Sequence, residues 1–230
     1  GYKEVQDYNC YIKLKVTKSK IESIKNAELL VWTTTPWTLF SNVALAVGEN
    51  IDYVLVKNTR KIKEETLINN LVLAKDRLET LDGVYEIIDS FKGSDLIGTK
   101  YEQIFPYLNL DEAEHPNALS IVAGDFVSTE DGSGIVHLAP AFGEDDYRLS
   151  LEYNLPFVQP VTPNGHLTEE LGPFAGRAIK DFEYDDRKEI GVETDVVIAL
   201  KVADKIYRSQ KDYTHNYPHC WRTGNPIMYY

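Results

Sequence analysis

Two stretches carry side chains whose types and spacing could do chemistry. The first is Val31-Trp32-Thr33-Thr34-Thr35-Pro36-Trp37-Thr38-Leu39, with four threonines and two tryptophans around one proline. Its lead, Leu29-Leu30-Val31, is apolar, and Thr and Trp favour strands. Pro36 cannot donate to a central ladder, so the stretch predicts an edge strand that breaks into a loop. Strand alternation would send Thr33 and Thr35 to one side and Thr34 to the other. Several hydroxyls beside an apolar wall suit a small ligand with polar and apolar parts, although threonine is equally at home in an ordinary strand.

The second stretch runs Asp131-Gly132-Ser133-Gly134-Ile135-Val136-His137-Leu138-Ala139-Pro140-Ala141-Phe142-Gly143-Glu144-Asp145-Asp146-Tyr147. Its glycine pair is not a dinucleotide loop, because a strand follows where a helix would be needed. Ile135-Val136 predicts a strand leading to His137, closed by Pro140. Glu144, Asp145 and Asp146 fall where a helix would begin, a place where the helix dipole favours acids for structural reasons alone. His137 taken singly reads as a satisfied, half-buried histidine more readily than as a catalyst. His215, His219 and Cys220 crowd together near the C-terminus, but with no partnering cysteine no metal site is expected there.

These groups sit on a chain of 230 residues, long enough for one large domain or two small ones with a proper core. Its 43% hydrophobic and 26% charged content is that of a soluble globular protein. A net charge of −12 argues against gripping long stretches of nucleic-acid backbone, yet leaves room for one strand end in a local pocket. No run approaches the ~18 apolar residues of a membrane span, and no secretory signal is visible. Cys10 and Cys220, at opposite ends, make neither a disulfide framework nor a zinc motif, so a reduced, intracellular setting is the default. The chain starts at Gly1 and its only methionine is Met228, which suggests a piece of a longer polypeptide.

The elements that must position the two stretches are mostly strands. Tyr2 to Gln6 and Tyr11 to Val16 are expected as strands, the second half-buried with Lys13 and Lys15 outward. Lys18 to Lys25 predicts a turn, while Val43–Val47 and Asp52–Lys57 are further strands, giving a β-rich core. Residues 58–66 are charged and expected in solvent. Leu71, Ala74, Leu78 and Leu81 recur at helical spacing, which predicts an amphipathic helix ended near Gly83. Tyr85–Ile88 returns to strand, Phe91–Tyr101 predicts an ordered loop and then a strand, 108–118 a solvated connection, and Ser120–Ala123 a strand. Residues 155–176 are dense in turn formers. Eight of the ten residues 180–189 are charged, which predicts a solvated helix face or loop. Thr194–Ala203 is ambiguous between a capped helix and a β-branched strand.

Taken together, Thr33-Thr34-Thr35-Pro36-Trp37-Thr38 and Gly134 to Asp146 resemble the inserted editing domain of isoleucyl-tRNA synthetases. Three further segments agree: Tyr2 to Gln6, Phe91 to Tyr101 as a Phe-x-Gly-x-x-Leu-x-Gly-x-x-Tyr signature, and His215 to Arg222. The resemblance covers essentially the whole chain. Valyl and leucyl relatives typically carry Thr-Thr-Arg-Pro-Glu/Asp-Thr, so Thr35 and Trp37 mark the isoleucyl pattern. Phe40 stands where the family often has proline, and Ser133 where threonine is usual. The His-x-Gly-His and Lys-Met-Ser-Lys-Ser motifs of adenylate formation are absent.

The resemblance implies an α+β fold with a β-barrel-like core and peripheral helices. Residues 1–230 would form one editing domain, with 1–8 and 213–230 leading from and back to an adenylate-forming part. The implied reaction is hydrolysis of the ester of mischarged Val-tRNA(Ile) in the cytoplasm. A pocket gains only ~1–3 kcal/mol from one methylene, isoleucine against valine being the standard instance, so a second site must clear the smaller product. An ester is already activated, and a positioned water with a few oriented donors can suffice. The family pattern puts Asp146 on the α-ammonium and gives Thr33, Thr34 and Thr35 the orientation of ester and water. It makes Trp37 a wall of the side-chain pocket, His137 its size limit, and Thr38 and Asn42 polar neighbours of the substrate. Editing would need no cofactor, ATP and Mg serving only the adenylate-forming part. Partners would be the 3′ end of aminoacylated tRNA(Ile), the valine moiety and the rest of the synthetase in cis. A valyl-type domain clearing threonine, and a passive tRNA-end binding module, are the alternatives.

Overall fold

The computed structural model describes residues 1–184, 187–228 and 230. Among the described residues twelve strands and three α-helices follow one another: β1 (Tyr2–Lys18), β2 (Glu28–Thr33), β3 (Ala44–Val47), β4 (Asp52–Ile62), β5 (Glu65–Ala74), β6 (Val84–Lys92), α1 (Gly93–Leu96), β7 (Lys100–Tyr101), β8 (Ile121–Ala123), β9 (Val136–Leu138), α2 (Glu144–Glu152), β10 (Phe182–Tyr184), β11 (Arg187–Glu189), α3 (Glu193–Val202) and β12 (Ile206–Pro218). Strands dominate and helices lie at the periphery, an α+β fold.

β2 is the hub. One edge runs antiparallel to β1, Cys10↔Thr33 through Lys15↔Glu28. The other edge is shared: Glu28 and Leu29 pair in parallel with β5, and Trp32 pairs in parallel with β9. β9 continues to β3, β3 to β8, and β7 returns to β1. Between β8 and β7 there is an isolated bridge, Lys100↔Ser120, with Tyr101 N–H bonded to Leu119 O (3.0 Å) and Ile121 N–H to Thr99 O (2.9 Å). The circuit β1-β2-β9-β3-β8-β7 is therefore barrel-like, completed by a bridge rather than a full ladder. β4, β5 and β6 form an antiparallel meander attached through β5.

Both faces of β2 are buried, which explains its apolar run. Leu29 and Val31 join the main core with Ile12, Leu14, Leu45 and Ile121. Leu30 joins a second cluster with Tyr11, Val54, Leu71 and Tyr207. Each such fully buried aliphatic side chain contributes ~1.5–3 kcal/mol.

Several expectations from the sequence are corrected. The opening stretch is no edge strand: β2 is paired on both sides, and it stops at Thr33 before Pro36. The proline opens a 3₁₀ turn over Pro36–Ser41, where its missing N–H costs nothing. Because the strand ends there, alternation does not extend to Thr34 and Thr35. The expected helix over 71–81 is the end of β5 followed by a 3₁₀ segment, Lys75–Thr80. Leu71, Val72, Leu73 and Ala74 are all buried, and a short run covered on both faces carries no period to read. Residues 58–66 are not solvated loop but the β4–β5 hairpin, which turns at Lys63 (φ 56°) and buries Asn58 and Arg60.

Lys13 does not point to solvent. It is 3% exposed, held by Asp204 (3.1 Å) and Glu28 (3.7 Å). Thr194–Ala203 resolves as helix. The described part of the charged run 180–189 holds two antiparallel strands, β10 and β11, with Asp185 and Asp186 outside the described residues. Its Lys180 is half-buried between Asp7 (2.8 Å) and Glu193 (3.1 Å), with His215 on the same Asp7 oxygen (2.9 Å). That cluster ties the body to a two-stranded ribbon in which Tyr2↔Pro218 through Asp7↔Tyr213 pair antiparallel.

One buried phenol joins the wall of the molecule to the second chemical stretch. Tyr53 Oη accepts from Gly48 N–H (3.1 Å) and donates to Gly134 O (2.6 Å). Tyr53→Phe leaves both groups unpaired in the interior, and urea unfolding should show a loss of ~1–3 kcal/mol with an unchanged denaturant slope.

Candidate active site

At the end of β2 the chain emerges from the sheet into a cleft of about 370 Å³. One side is the threonine run. Thr33 is buried and its Oγ1 accepts the Thr35 N–H (3.0 Å), folding the backbone back on itself. The hydroxyls of Thr34 and Thr35 have no intramolecular partner among the described residues and line the cleft. Thr38, in the 3₁₀ turn, donates its hydroxyl to Thr35 O (2.8 Å) and lies 3.1 Å from His137 Nε2.

The opposite side comes from the Asp131–Asp146 stretch. Gly132 (φ 69°) and Gly134 (φ 77°) adopt left-handed backbone, and a Cβ on Gly134 would sit 2.4 Å from that of Ala74. Arg77 pins this loop through Gly132 O (2.9 Å) and Glu130 O (3.0 Å). β9 then carries His137 between β2 and β3, so the imidazole is mounted on a strand held from both edges. Burial pushes its pKa down to about 4, so it is neutral at physiological pH. Its Nδ1 is buried with no partner among the described residues.

Asp146 stands in the first turn of α2. Its Oδ1 accepts the Ala139 N–H (2.7 Å), and Gly143 gives its carboxylate room, since a Cβ there would lie 2.3 Å from Oδ2. No lysine or arginine among the described residues pairs with it. Burial raises its pKa, with the Ala139 N–H opposing the shift. A half-buried carboxylate lacking a cation is a place prepared for one.

The structure thus brings together Thr33, Thr34, Thr35, Thr38, His137 and Asp146. It sets Trp37 and Asn42 behind the cleft wall. Trp37 is 3% exposed, packed edge-on against Phe142 at 4.7 Å, its indole N–H without a partner among the described residues. Asn42 is held by Tyr101 Oη (2.7 Å) and donates to Ala44 O (3.0 Å). Sequence reasoning missed Phe126, Phe142 and Trp32, which supply the apolar surface of the cleft. Phe142 lies within the quoted motif and Trp32 beside the threonines, so proximity was the available signal; Phe126 had none. A larger cleft of about 560 Å³, between the 163–166 turn and the C-terminal segment, has its acid Glu189 already paired with His166 (2.8 Å) and is lined by no serine or threonine among the described residues. Chemistry favours the smaller one. No group of three or more metal-ligating side chains occurs among the described residues.

An arrangement of one unpaired carboxylate, free hydroxyls and a neutral imidazole can bind an ammonium and orient a water. No protein-family profile matches the chain. A solved structure described as GlLeuRS-CP1 superposes with a TM-score of 0.60 at 13% identity, covering 90% of this chain and 99% of that one. The fold is accordingly that of the inserted CP1 domains of class I aminoacyl-tRNA synthetases. In sequence, the chain is 40% identical over 230 residues to an isoleucine–tRNA ligase of Clostridium acetobutylicum, covering 20% of it. It is 38% identical over 267 aligned positions to that of Cytophaga hutchinsonii, covering 24%. Over its whole length the chain is similar to isoleucine–tRNA ligases, and it spans about a fifth of the length of the curated relatives it matches.

The raised pKa of Asp146 has a sign that can be checked. A carboxyl whose folded pKa lies above its unfolded value binds more protons when folded, so its charge opposes folding at neutral pH and ceases to do so as pH falls through the folded pKa. Asp146→Asn, which can still accept from Ala139, should unfold at a higher temperature than the parent at pH 7. The gap should close as the solution is acidified below the carboxylate range.

Proposed function

We propose that this chain is the editing unit of an isoleucine–tRNA ligase, hydrolysing the ester that joins misloaded valine to tRNA(Ile). The observation that carries this reading is the carboxylate of Asp146, half-buried and without a cation, in the same cleft as the free hydroxyls of Thr34 and Thr35. The α-ammonium of an aminoacyl ester is a cation that can hydrogen-bond a carboxylate, and pairing offsets part of the burial penalty on the two charges. Thr33, Thr34 and Thr35 orient the ester carbonyl and a water. Water oxygen adds to that carbonyl carbon, the acyl C–O bond breaks, and the ribose oxygen leaves with the water's proton.

In this reading His137 bounds the side-chain space so that isoleucine's extra methylene collides. Trp37 shapes that space from behind through Phe142, and Asn42 does so through the backbone it fixes. Residues 1–230 form one editing unit, with 1–8 and 213–230 leading from and back to the adenylate-forming part; Tyr229 lies outside the described residues. ATP and Mg belong to that other part, and hydrolysis itself uses none. The partners are the 3′ end of aminoacylated tRNA(Ile), its valine moiety and the remainder of the ligase in cis, in the cytoplasm. A net charge of −12 fits a unit that takes one strand end and leaves the body of the tRNA to other surfaces.

Two substitutions in the ligase that contains this chain test the assignment. Asp146→Ala should lower Val-tRNA(Ile) deacylation by at least ~100-fold, the loss of a desolvated charge pair, while the circular dichroism spectrum stays that of the parent. Undiminished deacylation removes the ammonium role. His137→Ala should admit Ile-tRNA(Ile) to hydrolysis, and continued full protection of that ester would show that the size limit lies elsewhere. Parallel assays with Thr-tRNA separate this reading from a valyl-type site, and no hydrolysis of any ester would leave only a binding module.

A further inference from the structure

The proton count around Thr38 determines how His137 is presented. Thr38 Oγ1 lies 2.8 Å from Thr35 O and 3.1 Å from His137 Nε2. A carbonyl oxygen can only accept, and two oxygens 2.8 Å apart repel without a hydrogen between them, so the geometry places the single hydroxyl proton of Thr38 on Thr35 rather than on His137. The Thr38 oxygen must then accept, and His137 Nε2 must carry the hydrogen. A neutral imidazole has one N–H, which leaves Nδ1 as a lone pair. That Nδ1 is buried and unpartnered among the described residues, on a side chain that lines the cleft. The geometry of both supports is rigid. His137 is on a strand paired at both edges, and Thr38 is fixed by its own N–H to the same Thr35 carbonyl (3.0 Å).

We infer that Thr38 is a positioning residue, which locks His137 as the Nε2–H tautomer and so presents Nδ1 as a hydrogen-bond acceptor for a hydroxyl of the bound ester or for its attacking water. The ligand role rests on the editing reading above; the tautomer does not. An acceptor at this point takes a hydroxyl, water or ammonium hydrogen and rejects a carbonyl oxygen; with the α-ammonium on Asp146, the contact falls to the ribose end of the substrate or to the nucleophile. His137 then acts without gaining or losing a proton. Its neutral state, kept by burial, is the one that such a contact requires.

The test is nitrogen-15 spectroscopy of the histidine rings at neutral pH on this chain, with His137 assigned by its disappearance in His137→Gln. The shifts of the two ring nitrogens distinguish the neutral tautomers. The parent should show Nε2–H, Thr38→Ser should keep it, and the isosteric Thr38→Val should release it to a mixture or to Nδ1–H. Thr38→Ala provides the same test if the valine variant does not fold. In the ligase, Thr38→Val should reduce Val-tRNA(Ile) deacylation roughly three- to tenfold, the worth of one oriented hydrogen bond, with serine restoring most of it. A parent spectrum showing Nδ1–H, or an unchanged tautomer in the valine variant, overturns the inference. So does a released tautomer with undiminished hydrolysis. A parent ligase that hydrolyses no ester would instead remove the editing reading, with the nitrogen spectrum still deciding the tautomer.

Discussion

A strand has only two edges, and β2 is asked to serve three neighbours. It gives one edge to β1 and divides the other, Glu28 and Leu29 to β5 and Trp32 to β9. β5 and β9 must therefore diverge, and the loop that fills their separation is the glycine-rich Gly132–Gly134 segment, bonded to the end of β5 through Ala74 N–H to Ser133 O (2.9 Å). The threonines leave the sheet at this fork. The cleft is the space created by the divided edge, its threonines and His137 carried by β2 and β9 and its carboxylate by the first turn of α2. This is why hydroxyls, imidazole and carboxylate can be held without contacts among all of them.

The site keeps several polar groups unsatisfied in the free protein. Among the described residues Asp146 is poorly solvated and lacks a cation, His137 Nδ1 lacks a donor, and two threonine hydroxyls lack partners. Each would be a defect in a core, where nearly every buried polar group is paired. Gathered in one cleft, they define by their chemistry the complement that would satisfy them: a cation, a hydroxyl or water, and hydrogen-bonding oxygens. Elsewhere Lys13 is paired with Asp204, and Lys180 with Asp7 and Glu193.

Much of this was legible in the sequence. The threonine run, the strand to His137 and the helix start at Asp146 are short, local signals, written in residue type and turn chemistry. What escaped was set by distant partners. Leu71, Ala74, Leu78 and Leu81 match a helical stripe, but pairing with Tyr53–Val56 across the hairpin makes the first two strand residues. Lys13 reads as solvent-facing until Asp204, far along the chain, closes over it. Trp37 reads as a pocket wall, yet the 3₁₀ turn begun by Pro36 swings it into the core and leaves Phe142 in front. Phe126 could not be found at all, because nothing local distinguishes a phenylalanine that lines a cleft from one that fills an interior.

The ribbon of β1 and β12 has a mechanical consequence. Its two strands run antiparallel, and Gly1 N lies 2.7 Å from His219 O, so tension applied at Gly1 and His219 would pull the strands apart sideways. Such a load opens hydrogen bonds one at a time, from Tyr2↔Pro218 inward, and needs little force at any instant. The opening meets resistance at Asp7, where Lys180 and His215 converge on one carboxylate oxygen. The ribbon is thus compliant over its first few pairs and stiff beyond them: a hinge with a built-in stop, able to swing without transmitting strain to the fork where the threonines emerge.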